Sequence, residues 1–150
     1  MRNNDRLKLY YQLFSTIIVS VFGSNRKRFF ESARGDMIKI IRKKVSILKI
    51  QELAKKTYGD LIKAVVDVRK KIIAIGGELH ADEEALLLEK GSQQEDIWGI
   101  NLYPFKPKEE WIEFDSIINL RPSLGNLSRD IENPQMKEKI KVIVYSLIKN

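Results

Sequence analysis

Residues 61–79 read LIKAVVDVRKKIIAIGGEL. Two runs rich in Val, Ile and Ala, Leu61–Val68 and Lys71–Leu79, lie on either side of Arg69-Lys70. β-Branched side chains suit a pleated backbone, and two such runs around a short polar break predict a β-hairpin. A hairpin is antiparallel by construction. The expected fold class is therefore α+β, a single domain on an antiparallel sheet.

Upstream of the hairpin, Met37–Arg42 is short and β-rich, and Ser46 is placed to accept from the free N–H groups of a first helical turn. Apolar residues then recur at Ile47, Ile50, Leu53, Ala54 and Tyr58, which is helical spacing, and Gly59 closes the helix. Lys49 stands where a capping box would need a carboxylate or amide. Downstream, Asp82 is expected to cap a helix with Glu83 and Glu84 in its first turn, Leu86–Leu88 on its buried side and Gly91 at its end. Ile97–Pro104 and Trp111–Arg121 read as two more strands, and Pro122–Asn133 as a polar loop around Gly125. Asn133 caps a last helix with Pro134 at its first position and a single apolar stripe, Met136, Ile140, Ile143, Val144 and Leu147. The expected order is β-α-β-β-α-β-β-α, with a sheet of about five strands over residues 37–150.

Residues 1–36 read differently. Leu9–Phe22 carries no charge and is flanked by Arg6, Lys8 and the run Arg26-Lys27-Arg28. It is shorter than the roughly 20 residues a bilayer requires. An upstream extension of the reading frame is the preferred reading, ahead of a loosely packed N-terminal helix and of a signal or anchor segment. The domain itself is expected to be cytoplasmic, and a membrane is not an expected partner.

Composition narrows the chemistry. With 43% hydrophobic and 31% charged residues, the 150-residue chain belongs to the foldable class and has room for one ordinary domain. It has no cysteine, so disulfides, thiolate metal sites and a cysteine nucleophile are excluded. His80 is the only histidine, which rules out a multi-histidine metal cage within one chain. The net charge of +7 divides unevenly: residues 1–36 carry +4, residues 37–56 carry +6, and residues 57–150 carry −3. Most of the domain is thus mildly acidic. Nucleic acid, which needs clustered cations, is not an expected partner, and Arg26–Arg28 and Arg42-Lys43-Lys44 are its only footholds.

Strand parity points to candidate site residues, because successive side chains face opposite sides of a sheet. Glu78 and His80 fall on one side of their strand, Asn101 and Tyr103 on one side of theirs, and Glu113 and Asp115 on one side of theirs. If these sides coincide, one face presents carboxylates, an amide, a phenol and an imidazole, with Gly76 and Gly99 leaving backbone open to a ligand. Glu78, His80 and Asp115 are then the acid/base candidates, with a metal ion as an alternative use of the same donors. Asn101, Tyr103, Glu113 and Asn119 would bind a polar ligand. The run Arg121–Arg129, with Asn126 at its centre, holds two guanidinium groups and a glycine loop, the parts of an anion site. Each feature has a plainer account: a lone histidine is commonly structural, and first-turn acids commonly serve the helix dipole. Trp98 falls on the apolar side of its strand and is expected in the core.

The string Gly77-Glu78-Leu79-His80-Ala81-Asp82, with Glu84, Gly91-Ser92 and Gln94, leads into Ile97-Trp98-Gly99-Ile100-Asn101-Leu102-Tyr103-Pro104. Ile112-Glu113-Phe114-Asp115-Ser116, Ile118-Asn119-Leu120-Arg121-Pro122 and Gly125-Asn126 follow. Over residues 37–149 the chain resembles a family of small uncharacterised prokaryotic proteins, a domain of unknown function. The resemblance implies no activity. In that family the loop after Gly-Asn reads Arg-Ser-Arg-Gly, whereas here it is Leu127-Ser128-Arg129-Asp130, one cation fewer and one carboxylate more.

The leading functional expectation is a polar-ligand-binding or hydrolytic domain with its site on one sheet face, whether or not a metal assists. The rival is a non-catalytic interaction module that docks a protein partner on the same face or along an open sheet edge.

Overall fold

A computed structural model describes residues 37–150; the extension at 1–36 lies outside the described residues. The hairpin is present and forms the centre of the sheet. Strand β1 is Lys39–Ile41 and β2 is Val45–Ser46, followed by helix α1, Ile47–Lys55. The hairpin strands are β3, Ile62–Asp67, and β4, Ile72–Ile75. Helix α2 is His80–Glu89, β5 is Ile97–Leu102, β6 is Ile112–Glu113, α3 is Pro134–Leu147, and β7 is Ile148–Lys149. Five strands form one antiparallel sheet in the order β1-β4-β3-β5-β6.

Strand β3 is central, with neighbours on both sides and helices on both faces. All but one of its residues are buried, which is why its sequence is almost continuously apolar rather than alternating. Its turn is closed by Asp67, whose Oδ1 accepts from the Arg69 N–H at 2.9 Å and the Lys70 N–H at 2.7 Å. The first face carries Ile62, Ala64, Val66, Ile73, Ile75 and the even residues of β5, Trp98, Ile100 and Leu102. It packs against Ile50 and Ala54 of α1 and against the apolar stripe of α3. The second face carries Val65, Ile72, Ala74 and Ile97, covered by Leu87 of α2 and by Ile118.

The helix signals at 46 and 133 are realised. Ser46 Oγ accepts from the Leu48 N–H at 3.2 Å, and Asn133 Oδ1 accepts from the N–H groups of Gln135 and Met136. Three expectations are corrected. First, β4 stops at Ile75 rather than running to Leu79, because Gly76 takes φ +100° and turns the chain off the sheet. Second, α2 begins at His80 with Leu79 in the N-cap position, three residues before the expected cap at Asp82, so that His80 is helical. Third, the strand expected over Trp111–Arg121 survives only as Ile112–Glu113; Ser116 then accepts from the Ile118 N–H and starts a 3₁₀ turn. One pair was not foreseen: β2 and β7 run parallel, Val45 opposite Ile148, tying the end of α3 to the start of α1.

Candidate functional site

The second face is covered by α2 along most of its length, and the polar residues gather where that cover ends. In register, Lys63 of β3 lies opposite Asn101 of β5, which lies opposite Glu113 of β6. The parity expected for Asn101 and Glu113 is realised. The Asn101 Nδ2 donates to Glu113 Oε2 at 2.8 Å and to the Asp115 carbonyl at 3.3 Å. The Tyr103 hydroxyl donates to the same Glu113 oxygen at 3.2 Å. Burial and that carboxylate hold the Tyr103 hydroxyl above its ordinary pKa. Asp115 in turn accepts from Arg129 Nε at 2.6 Å, both side chains being about half exposed. Asn101 Oδ1 is buried and has no hydrogen-bond partner.

His80 approaches this group from α2. It is 7% exposed, and its Nε2 lies 2.8 Å from the Ile100 carbonyl oxygen. A carbonyl only accepts, so Nε2 carries the proton and Nδ1 is the acceptor of the neutral ring. Burial lowers the His80 pKa from 6.5 to about 4; the Ile100 carbonyl and Asp115 oppose the shift, while Lys63 and Arg129 assist it. The ring is thus neutral at neutral pH.

One turn further along α2 is a residue that the sequence reading assigned to the helix dipole. Glu83 is fully buried, with Oε1 accepting the Gly77 N–H at 3.0 Å and Oε2 without a partner. Burial drives its pKa well up, against the pull of the Gly77 N–H, so the carboxyl favours its neutral form. With the helix starting at His80, His80, Glu83 and Leu87 form its buried stripe. A helix frame begun at Asp82 hides that stripe, and the run Leu86–Leu88 marks no single face.

Other expected site residues prove to be backbone partners. Asn119 Oδ1 accepts the Gly99 N–H at 2.8 Å, and its Nδ2 donates to the Gly99 and Arg129 carbonyls at 2.9 and 3.1 Å. Its amide stands in for a neighbouring strand beyond the end of β6. Asn126 Nδ2 donates to the carbonyls of Asn119, Ser128 and Asp130, and its Oδ1 accepts from the Glu132 N–H. Arg121 turns inward, its Nη1 donating to the Gln94 and Ile97 carbonyls, both at 2.6 Å, and its guanidinium lying over the Trp98 ring. Arg121 and Arg129 are therefore engaged near opposite ends of β5. Glu78 is exposed in the loop between β4 and α2, where its backbone carbonyl accepts from the Tyr58 hydroxyl.

The two glycines expected to open backbone to a ligand are instead filled by protein. A Cβ on Gly76 would lie 2.6 Å from the Met37 carbonyl oxygen, and one on Gly99 would lie 2.5 Å from Ser116 Oγ. Among the described residues, no three His, Asp or Glu side chains are grouped so as to hold a metal ion. Among the same residues, no helix is long and apolar enough to cross a membrane.

Neither the curated proteins nor the solved structures contain a match to this chain. A family model does match, over residues 39–147, an interval that contains the whole five-stranded sheet and the three helices of the described residues. The chain accordingly belongs to the family described as protein of unknown function (DUF5674).

Proposed function

We propose that the domain binds a small polar ligand at the uncovered end of the second sheet face and performs proton transfer on it, hydrolysis being the reaction class that suits these groups. The observation that carries this reading is the state of His80. Its donor nitrogen is fixed by the Ile100 carbonyl, its ring is neutral, and Nδ1 is left as a base. Asn101, the next residue on that strand, holds Glu113 through its Nδ2, which leaves the carboxylate oriented towards the ligand. Glu113 and Asp115 supply carboxylate acceptors, and Lys63 and Arg129 supply cations for an anionic group on the ligand. Tyr103 would orient it. Perturbed titration beside convergent polar groups is the usual physical mark of such a site.

A thermal-shift screen of small polar metabolites against the full chain tests the reading, since a ligand selective for the native state raises its melting temperature. A true ligand should move the ring resonances of His80, and its thermal shift should disappear in Asn101→Ala. Ligands whose shift survives that substitution and leaves the His80 ring unmoved would refute it.

A further inference from the structure

Strand β1 stands at the opposite edge of the sheet from Asn101 and Glu113, and among the described residues it pairs only with β4. Beside it, between β1, the turn at 42–44 and the first turns of α1, the surface forms an open groove of about 370 Å³. The floor is apolar, made by Ile41, Ile50, Leu53 and Ile75. The rim is cationic: Lys39, Arg42, Lys43, Lys44 and Lys49, and among the described residues no acidic one lines it. Among the described residues, Lys49 alone of these cations has a carboxylate within ion-pair distance, Glu52 at 3.0 Å. Residues 37–56 carry +6, whereas residues 57–150 carry −3, so the charge is concentrated here.

We propose that this edge receives an acidic peptide in extended conformation, which joins β1 as a further strand. An edge strand presents unpaired N–H and C=O groups that template such an addition. Along an extended peptide alternate side chains point the same way, so apolar residues would enter the groove while carboxylates reach the rim cations. A nucleic acid would use the same charge, but it has no strand backbone to offer β1. Among the described residues, the groove also has no aromatic side chain on which a base could stack.

The probe is a fluorescent peptide of about ten residues alternating Glu and Val, titrated with the full chain and followed by anisotropy. Saturable binding is expected. It should weaken roughly tenfold or more in Lys43→Glu/Lys44→Glu, a pair of exposed positions whose replacement leaves the melting temperature near that of the parent. N-methylation of alternate peptide amides, which removes the strand hydrogen bonds and keeps the charge, should abolish binding. Failure to saturate into the millimolar range overturns the proposal, whatever else occupies the groove. Equal binding of the methylated peptide overturns the added strand. Equal binding of a single-stranded oligonucleotide of the same charge makes the groove a general polyanion surface and overturns the peptide specificity.

Discussion

Lowering the pH should destabilise this domain through His80, and the size of the effect follows from its surroundings. The ring is 7% exposed and carries a pKa of about 4 in place of 6.5. Between those values the unfolded chain holds a proton that the native state refuses, so stability rises with pH across that interval. The full contribution is present above pH 6.5 and is lost progressively as pH falls towards 4. A displacement from 6.5 to about 4 amounts to about 3 kcal/mol. The control is His80→Gln, whose amide nitrogen can donate to the Ile100 carbonyl and does not titrate. Urea denaturation of both proteins at a series of pH values gives a difference curve from which all other groups cancel. The parent should lose about 3 kcal/mol more than the variant on going from pH 7.5 to 4. Because His80 is the only histidine, its ring protons also give one unambiguous NMR titration. A flat difference curve, or a ring that titrates near 6.5, would refute a buried neutral imidazole and remove the base from the proposed site.

Glu83→Gln should stabilise the protein at neutral and alkaline pH: a carboxyl whose native pKa is raised loses stability as pH rises through that pKa, and the amide removes this slope while keeping an oxygen for the Gly77 N–H. Denaturation at pH 6 and 9 checks it, and a variant less stable than the parent at pH 9 would mean the ionised form is used. Asn119→Ala should cost roughly 3 kcal/mol in chemical denaturation, because it strands the buried N–H and C=O of Gly99 together. Gly99→Ala should cost roughly 1–3 kcal/mol through its clash with Ser116, and Gly99→Ala/Ser116→Gly should recover part of that loss by the same measurement. Asp115→Asn, which breaks an exposed ion pair, should leave stability within about 1 kcal/mol and weaken any ligand-induced thermal shift.

Much of the fold was legible because it rests on local rules. The hairpin at 61–75, the caps Ser46 and Asn133, and the stripe of α3 each depend on residues within a turn or two of one another. The side on which Trp98 lies followed from parity alone. What escaped depended on contacts distant in sequence. Nothing near Asp115 says that its strand should end at once; it ends because the Asn119 amide, four residues on, takes the hydrogen bonds a longer strand would have made. Met37, far from Gly76 in the chain, fills the space beside it. Glu83 was hidden by its composition: three acidic residues in a row read as a solvated helix start, and only the tertiary packing turns the middle one inward. Of the candidate site residues, Asn101, Tyr103, Glu113, Asp115 and Arg129 are linked by hydrogen bonds, with His80 reaching the same strand from α2. Asn119, Arg121 and Asn126 look alike in sequence, yet their side-chain hydrogen bonds go to backbone groups.

The Asn119 amide has a consequence for self-association. A sheet polymerises edge to edge only if each molecule offers two edges, one to give and one to receive. Here β6 is two residues long, and beside it the backbone of Gly99 is already closed by a side chain. Among the described residues, the three residues of β1 are then the longer of the two free edges of the five-stranded sheet, the other being the two residues of β6. Two copies meeting there would bury both β1 edges at once and form a closed pair, with no β1 strand left to recruit a third. Edge-to-edge pairing through β1 would therefore stop at the dimer.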